Sequence, residues 1–205
     1  MIVLALETST ACGSVAVVMS SGEVVFHESS HTDRSHNSLL FGPLQRALAA
    51  LAPGKPDQVV AGTGPGSYTG TRIGLAAAHG VAVVLGIPWA GWPSITALAD
   101  APVYAAAGDA RRGSAWLALV QGGRVVRGPE LLEAAGLAAR LAAGGPPVLT
   151  PDTRPLHPAL GRAVPDAARL AKVFMAQDDQ TRAAAARAPV EPIYLRAPYI
   201  TTPAR

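Results

Sequence analysis

What the sequence has little of already excludes several classes of protein. Cys12 is its only cysteine, so an internal disulfide and a thiolate metal cluster are excluded. Aromatic residues make up only 5% of the chain, too few for an extended platform on which nucleic-acid bases stack. No apolar run reaches the ~18 residues that span a bilayer, and the amino terminus lacks the basic region of a secretory signal. We therefore expect a cytoplasmic protein that makes no membrane contact.

The residues that are present describe an apolar globular chain. Of its 205 residues, 49% are hydrophobic and 15% are charged. This length allows one large domain or two small lobes, and a chain of this size buries ~70% of its unfolded surface. The excess of apolar residues is consistent with a surface that binds a partner in addition to a core.

Charge is unevenly distributed along the chain. Residues 1–100 carry four Lys or Arg against six Asp or Glu, whereas residues 101–205 carry thirteen against eight. The basic residues of the second half are dispersed, and only Arg111 and Arg112 are adjacent. This dispersion favours a solvated surface over a nucleic-acid site. It leaves open a weak electrostatic association with an RNA-containing complex.

The most distinctive stretch, residues 61–78, reads A-G-T-G-P-G-S-Y-T-G-T-R-I-G-L-A-A-A. It predicts the end of a strand, a constrained loop and the start of a helix. Backbone N–H groups at such a helix start suit an anion or the polar groups of a partner chain. The glycine spacing matches neither a Walker loop nor G-x-G-x-x-G, and Ser67 does not sit in a nucleophile elbow. An anion-binding loop and a rigid turn without a ligand both stay open.

Apolar patterning predicts the other elements. In the first half, strands are expected at residues 2–6, 14–19, 23–28, 58–61 and 87–90, and helices at about 36–51, 71–85 and 94–99. In the second half, helices are expected at 129–143, 166–176 and 180–187, a strand at 146–150 and extended chain at 189–205. The helix at 36–51 has more apolar residues than one core-facing stripe holds, and the helix at 71–85 is rich in Gly and Ala. The apolar surplus indicates a second packing partner, and the small residues allow the close approach of the sheet or a partner helix.

The second half of the chain opens like the first. Asp109 corresponds to Glu7, and Gly113-Ser114 follows Asp109 much as Gly13-Ser14 follows Glu7. Each copy consists of a strand, an acidic turn and a β-hairpin, and a helix follows. This order predicts a duplication with two similar lobes, of which the second has fewer helices.

Two lobes that each open with an acidic turn between strands are typical of the α/β architecture of actin, Hsp70 and the sugar kinases. More specific strings make the chain similar to the TsaB (YeaZ) family. These strings are L-A-L-E-T-S-T at 4–10, S-H-N-S-L-L-F-G-P-L at 35–44, G-T-G-P-G-S-Y-T-G-T-R-I-G at 62–74, G-D-A-R-R at 108–112 and P-I-Y-L-R at 192–196. The resemblance implies a partner-binding actin-like lobe at residues 1–100 and a reduced, degenerate lobe at 101–205.

The resemblance further implies a non-catalytic subunit without a cofactor. TsaB-like proteins pair with TsaD, and with the ATPase TsaE, so that TsaD can transfer a threonylcarbamoyl group to an adenosine next to the tRNA anticodon. They also form homodimers through the first lobe, and contact with tRNA is expected to be indirect or weak. The interface is expected on the two first-lobe helices, at Leu40, Pro43, Leu44, Ala47, Arg72, Ala76, Ala77 and Gly80.

No metal site is expected. TsaD-like chains carry two metal-binding His four residues apart, where this chain has Ser94 and Leu98, neither of which replaces imidazole. The resemblance places a vestigial nucleotide cleft at Glu7, Thr8, Ser9, Gly64, Gly66 and Asp109. For Glu7, the pattern favours an acid that caps its own turn over one that binds a nucleotide.

Two other functions compete with the binding subunit. The first is an enzyme, either a metallopeptidase of the glycoprotease type or a small ATP-dependent kinase. The sequence offers no His pair at ligand spacing and no Ser-His-Asp grouping, and the second lobe is small for a kinase. The second is a protein that only associates with its own copies.

Overall fold

Residues 1–31 and 36–196, except the side chains of 36–39, are described by a computed structural model. They form two five-stranded sheets. The first consists of β1 (Ile2–Glu7), β2 (Cys12–Met19), β3 (Val24–His31), β4 (Gln58–Gly62) and β5 (Trp89–Trp92). The second consists of β6 (Val103–Asp109), β7 (Ser114–Gln121), β8 (Arg124–Glu133), β9 (Val148–Thr150) and β10 (Gly161–Arg162).

The second sheet repeats the first in strand order and direction. The orders are β3-β2-β1-β4-β5 and β8-β7-β6-β9-β10. In each sheet the first three strands pair antiparallel, and the last two continue parallel to the central strand. This confirms the predicted duplication and the two-lobed, actin-like α/β fold.

Helices lie on both faces of the first sheet. Helices α1 (His36–Ala49) and α2 (Tyr68–Leu85) cover one face, and α4 (Ala167–Met175) and α5 (Asp179–Arg187) cover the other. Helix α3 (Ala134–Ala142) packs on the second sheet, and a short 3-10 helix spans Ser94–Ala97. Leu4 and Leu6 of β1 belong to the core against α1 and α2, whereas Val3 and Ala5 belong to the core against α4. Because side chains alternate across a strand, the buried central strand β1 serves both layers.

The sheet of the second half carries fewer helices. Its last strands, β9 and β10, have three and two residues, and Leu137 of α3 packs against Ala107 and Ala115. Helices α4 and α5 come from the second half of the sequence but lie on the first sheet. The division into units of residues 1–100 and 101–205 stays a prediction.

The structure corrects one predicted element in particular. Residues 129–133, expected to begin a helix, continue the edge strand β8, and α3 begins only at Ala134. Pairing of Glu130 with Leu117 and of Glu133 with Ser114 extends the β7–β8 ladder and overrides the helix-start signal of Pro129. The end of the segment expected to be extended, residues 197–205, lies outside the described residues.

Within residues 1–31 and 36–196, no helix combines the length and apolarity needed to cross a membrane.

Candidate functional site

The acidic turn after β1 is closed by its own hydrogen bonds. Glu7 is fully buried, and its Oε1 accepts a hydrogen bond from the backbone N–H of Ser9 at 2.7 Å. Burial raises the pKa of Glu7, and the hydroxyl groups of Ser9 and Ser94 offset part of that rise. Oε2 of Glu7 has no hydrogen-bond partner within the described residues. The geometry supports the interpretation of Glu7 as a buried turn-capping acid.

The glycines of the loop make room for this turn. A Cβ atom on Gly66 would overlap the carbonyl oxygen of Ser9, and one on Gly70 would overlap the carbonyl oxygen of Thr8. A Cβ atom on Gly74 would overlap the hydroxyl oxygen of Thr8, which itself donates to the carbonyl oxygen of Gly70 at 2.8 Å. The glycines therefore allow two backbone segments of the same chain to pack closely.

Several N–H groups of the loop that an anion would need already donate to acceptors of the same chain. The N–H of Ser67 donates to the carbonyl oxygen of Ser9 at 2.6 Å. The N–H of Gly70 donates to the Ser67 hydroxyl at 3.1 Å, and the N–H of Gly64 donates to the Ser94 hydroxyl at 2.9 Å. These bonds favour the rigid turn over the anion-binding loop, and the nucleotide cleft stays a prediction.

An extended segment, residues 189–196, lies against this loop, and we call it the strap. The N–H of Ile193 donates to the carbonyl oxygen of Thr63 at 2.8 Å. Val190 occupies the space that a side chain on Gly91 would need. The strap therefore covers the loop from the side of β5, with contacts far apart in the sequence.

Asp109 ends β6 as Glu7 ends β1, but it caps a turn of the second sheet. Its Oδ1 accepts a hydrogen bond from the N–H of Arg111 at 2.6 Å, and its own N–H donates to Oδ2 of Asp152 at 2.7 Å. Burial raises the pKa of Asp152. The structure thus brings five of the six predicted cleft residues together in the first lobe, and Asp109 bonds to partners in the second. The five are Glu7, Thr8, Ser9, Gly64 and Gly66.

A larger candidate site is an apolar groove between α1 and α2, which we call the α1–α2 groove. Its volume is about 590 Å³. Phe41 and Val84 line it although 55% and 83% of their surfaces are exposed. The full lining is Phe41, Leu44, Leu48, Ile73, Ala76, Ala77, Gly80, Val81, Val84 and Leu85. Large apolar side chains exposed side by side are typical of an interaction surface.

The predicted interface residues divide into three groups. Leu44, Ala76, Ala77 and Gly80 line the α1–α2 groove. Arg72 lies near the start of α2, where it contacts Tyr68 and Tyr194. The remaining three, Leu40, Pro43 and Ala47, are buried within the chain and present little surface to a partner. Leu40 and Ala47 belong to the core against the first sheet.

Sequence reasoning missed the most exposed members of the groove. Phe41 belongs to the helix at 36–51 whose apolar surplus the sequence shows, but neither Phe41 nor Val84 is among the predicted interface residues. The signal was the run V-A-V-V-L at the end of α2, which places more large apolar side chains than one face of a helix can bury.

The positions expected to replace the metal-binding His pair are part of the core. Ser94 is fully buried, and its hydroxyl accepts the hydrogen bond from Gly64. Leu98 is buried against Tyr104 and Trp116 of the second sheet. In the described part of the chain, no cluster of three or more His, Cys, Asp or Glu side chains could hold a metal ion.

Comparison with known proteins places these features in a family. The family model of TsaD, tRNA N6-adenosine threonylcarbamoyltransferase, matches residues 25–139. The chain is 35% identical to the tRNA threonylcarbamoyladenosine biosynthesis protein TsaB of Haemophilus influenzae, over 48% of the chain and 42% of that protein. It is 38% identical to an uncharacterized protein of Mycobacterium tuberculosis, over 47% of each. The chain thus spans less than half the length of the curated relatives that it matches.

Solved structures agree on the fold. YeaZ from Pseudomonas aeruginosa superposes with a TM-score of 0.68 at 24% identity, and the match covers 95% of this chain and 99% of that one. A second crystal structure, of a protein with similarity to peptidase YEAZ from the same organism, gives a TM-score of 0.72 at 23% identity with the same coverage. At this identity the agreement concerns the fold.

Proposed function

Since the chain belongs to the TsaD family, in its TsaB (YeaZ) branch, we propose that it is the non-catalytic partner of a TsaD-like transferase. In this role it binds the transferase and supports the formation of N6-threonylcarbamoyladenosine next to the tRNA anticodon. A TsaE-like ATPase joins through the complex, and the chain itself has no cofactor.

The α1–α2 groove is the observation that carries this proposal. Val84 is 83% exposed beside the half-exposed Phe41, and the groove lining includes three small residues, Ala76, Ala77 and Gly80. Small residues such as Ala77 and Gly80 let a partner helix approach the backbone of α2 closely. Burial of this apolar surface would supply much of the free energy of association.

The non-catalytic part of the proposal depends on the residues around the acidic turn. Ser94 and Leu98 stand where TsaD-like chains have metal-binding His, and both belong to the core. Glu7 faces protein hydroxyl groups and a backbone N–H rather than an open cleft. A metallopeptidase or kinase needs an open metal or nucleotide site at this place.

Reconstitution of tRNA modification tests the proposal. The TsaD-like and TsaE-like proteins of the same organism, with threonylcarbamoyl-adenylate and unmodified tRNA, should form little modified adenosine alone and much more once the chain is added. The Glu7→Gln variant should support this as well as the unchanged chain. Equal modification without the chain would contradict the proposal, and peptide or ATP hydrolysis by the pure chain that Glu7→Gln abolishes would favour an enzyme.

A second copy of the chain is the other occupant that fits the same groove. We propose that the homodimer and the complex with the TsaD-like protein use one surface and compete for it. Addition of the TsaD-like protein should therefore dissociate the homodimer. A ternary species that retains the homodimer would contradict a shared surface.

A further inference from the structure

Arg72 lies between two tyrosines that are distant from each other in the sequence. Its guanidinium carbon lies 4.2 Å from the ring centroid of Tyr68, and its Nε donates to the hydroxyl oxygen of Tyr194 at 2.7 Å. The two rings are 5.6 Å apart, and both remain about half exposed, at 54% for Tyr68 and 42% for Tyr194. A guanidinium has five N–H donors, of which Tyr194 takes one. This cluster therefore presents aromatic faces and a cation to solvent together.

The cluster continues along the strap to the turn between β6 and β7. Two residues after Tyr194, Nη2 of Arg196 donates to the hydroxyl oxygen of Ser114 at 2.7 Å. Ser114 ends the turn that carries Arg111 and Arg112. Two residues of chain span at most about 7 Å, so the strap carries the surface from the Arg72 cluster to Arg196 and, through Ser114, to this turn. We call it the arginine–tyrosine strip, and it consists of Tyr68, Arg72, Tyr194, Arg196, Arg111 and Arg112.

The turn that carries Arg111 and Arg112 has an uncommon backbone conformation. Both residues have positive φ angles, 65° and 56°, a region that glycine and asparagine usually occupy. The side chain of Arg111 is 86% exposed. Such a conformation costs free energy in each residue, and it persists here because the carboxylate of Asp109 accepts the N–H of Arg111.

Acidic side chains also lie around the strip. Asp109 lies 3.4 Å from a guanidinium nitrogen of Arg111, and Asp152 points at the backbone N–H of Asp109. Glu191 is exposed at the start of the strap. Burial raises the pKa of Asp152. Glu133 is exposed opposite Ser114 in the β7–β8 ladder, so acids stand beside the four arginines of the strip. The 86% exposed side chain of Arg111 is the cation that the strip offers most openly to a phosphate.

We propose that the arginine–tyrosine strip binds single-stranded RNA, with phosphates on the arginines and a base stacked on Tyr68. This deepens the proposed function, on which it rests, because it gives the chain a direct contact with an unpaired part of its RNA substrate. Arginine matches the geometry of phosphate oxygens, and an exposed aromatic face accepts any base. An acidic protein would use the cations but has less need of two half-exposed rings.

Fluorescence anisotropy of the purified chain with a labelled, unstructured RNA 12-mer tests the proposal, and unmodified tRNA serves as a competitor. The Arg111→Gln/Arg112→Gln variant should weaken binding about tenfold or more. It should also make the negative slope of log K against log salt shallower by about 1.4, because each lost contact to single-stranded RNA contributes about 0.7. Tyr68→Leu should weaken binding about tenfold and leave the salt slope unchanged.

A matched control removes the same charge elsewhere. The Arg124→Gln/Arg127→Gln variant removes two exposed arginines from β8. Arg124 pairs with Gln121, and Gln121 and Ser114 are the two ends of β7, so Arg124 lies far from the strip. This variant should bind RNA almost like the unchanged chain. Equal losses in the two double variants, unchanged binding in Tyr68→Leu, or equally tight binding of a polyglutamate peptide would each overturn the proposal. The measurement needs no partner protein, so its failure is distinct from a failure to bind the TsaD-like protein.

Discussion

The carboxyl group of Glu7 occupies the volume that a side chain on Gly62 would need. Oε2, the oxygen on that side, is the one without a hydrogen-bond partner among the described residues. A buried acid and a glycine on the neighbouring strand β4 are therefore one structural unit. Its consequence is that the end of β1 is packed like a core, where the catalytic members of an actin-like fold would need an open cleft.

Glu7→Gln should stabilise the protein increasingly as the pH rises. Burial raises the pKa of Glu7 in the folded state, so its contribution to stability is complete below the unfolded pKa, near 4.3, and declines as the pH rises through the folded pKa. A Gln side chain stays neutral, so no buried charge forms as the pH rises, and its amide can donate to the Ser9 or Ser94 hydroxyl. Urea unfolding of both proteins between pH 4 and pH 9 measures the difference.

Glu28 supplies a control of opposite sign. Hydrogen bonds from the Arg46 guanidinium lower the pKa of Glu28, so it contributes stability above its unfolded pKa and loses it as the pH falls through the folded pKa. Glu28→Gln should therefore destabilise at neutral pH and match the unchanged protein in acid. A stability difference for Glu7→Gln that does not vary with pH would contradict a raised pKa.

Two glycines of α2 should respond to alanine in opposite directions. Gly74→Ala places a Cβ atom on the hydroxyl oxygen of the buried Thr8 and should lower the free energy of unfolding by about 1–3 kcal/mol. Gly80→Ala meets no atom within 4 Å and should raise the free energy of unfolding by up to about 1 kcal/mol, because alanine favours the helix. Denaturant unfolding with circular dichroism compares them, and equal effects would contradict the packing of the turn on α2.

Removal of the N-cap of α4 should lower the stability of the protein more than removal of the N-cap of α5. Oδ1 of Asp166 accepts hydrogen bonds from the N–H groups of Ala168 and Arg169, and its Oδ2 lies 2.6 Å from Nε2 of His27 on β3. Asp166→Ala should cost about 0.5–2 kcal/mol, since α4 is part of the core. Asp178→Ala removes the cap of α5, which has no buried residues, and should cost less because that helix can fray locally. Thermal unfolding of the two variants tests this order.

Local patterns predicted what depends on neighbouring residues. The acidic turn at Glu7 and its copy at Asp109 were recognisable because short spacings repeat. The helix expected at about 71–85 begins three residues earlier, at Tyr68, where Ser67 caps it. The place of α4 on the first sheet was not predictable. The apolar face of α4, with Leu170 and Phe174, is visible in the sequence, but nothing local says that its partner is β1.

The candidate interface shows the same division. Periodicity indicated that α1 had more apolar residues than its sheet could cover, yet it could not say which of them face the sheet. Leu40 and Ala47 turned out to be buried, and Phe41 is exposed. The contact of Arg72 with Tyr194 joins residues 122 positions apart, so only the folded chain reveals it.

Adjacent valines at the end of α2 provide the sharpest test of the α1–α2 groove. Val84 lines the groove, whereas its neighbour Val83 does not, and both are well exposed, at 83% and 66%. Either can therefore be changed to aspartate without burying a charge in the folded monomer. The measurement is titration calorimetry of each variant against the TsaD-like protein of the same organism. We expect Val84→Asp to weaken binding at least a hundredfold and Val83→Asp to change it less than fivefold; equal affinity of the two variants would contradict the account.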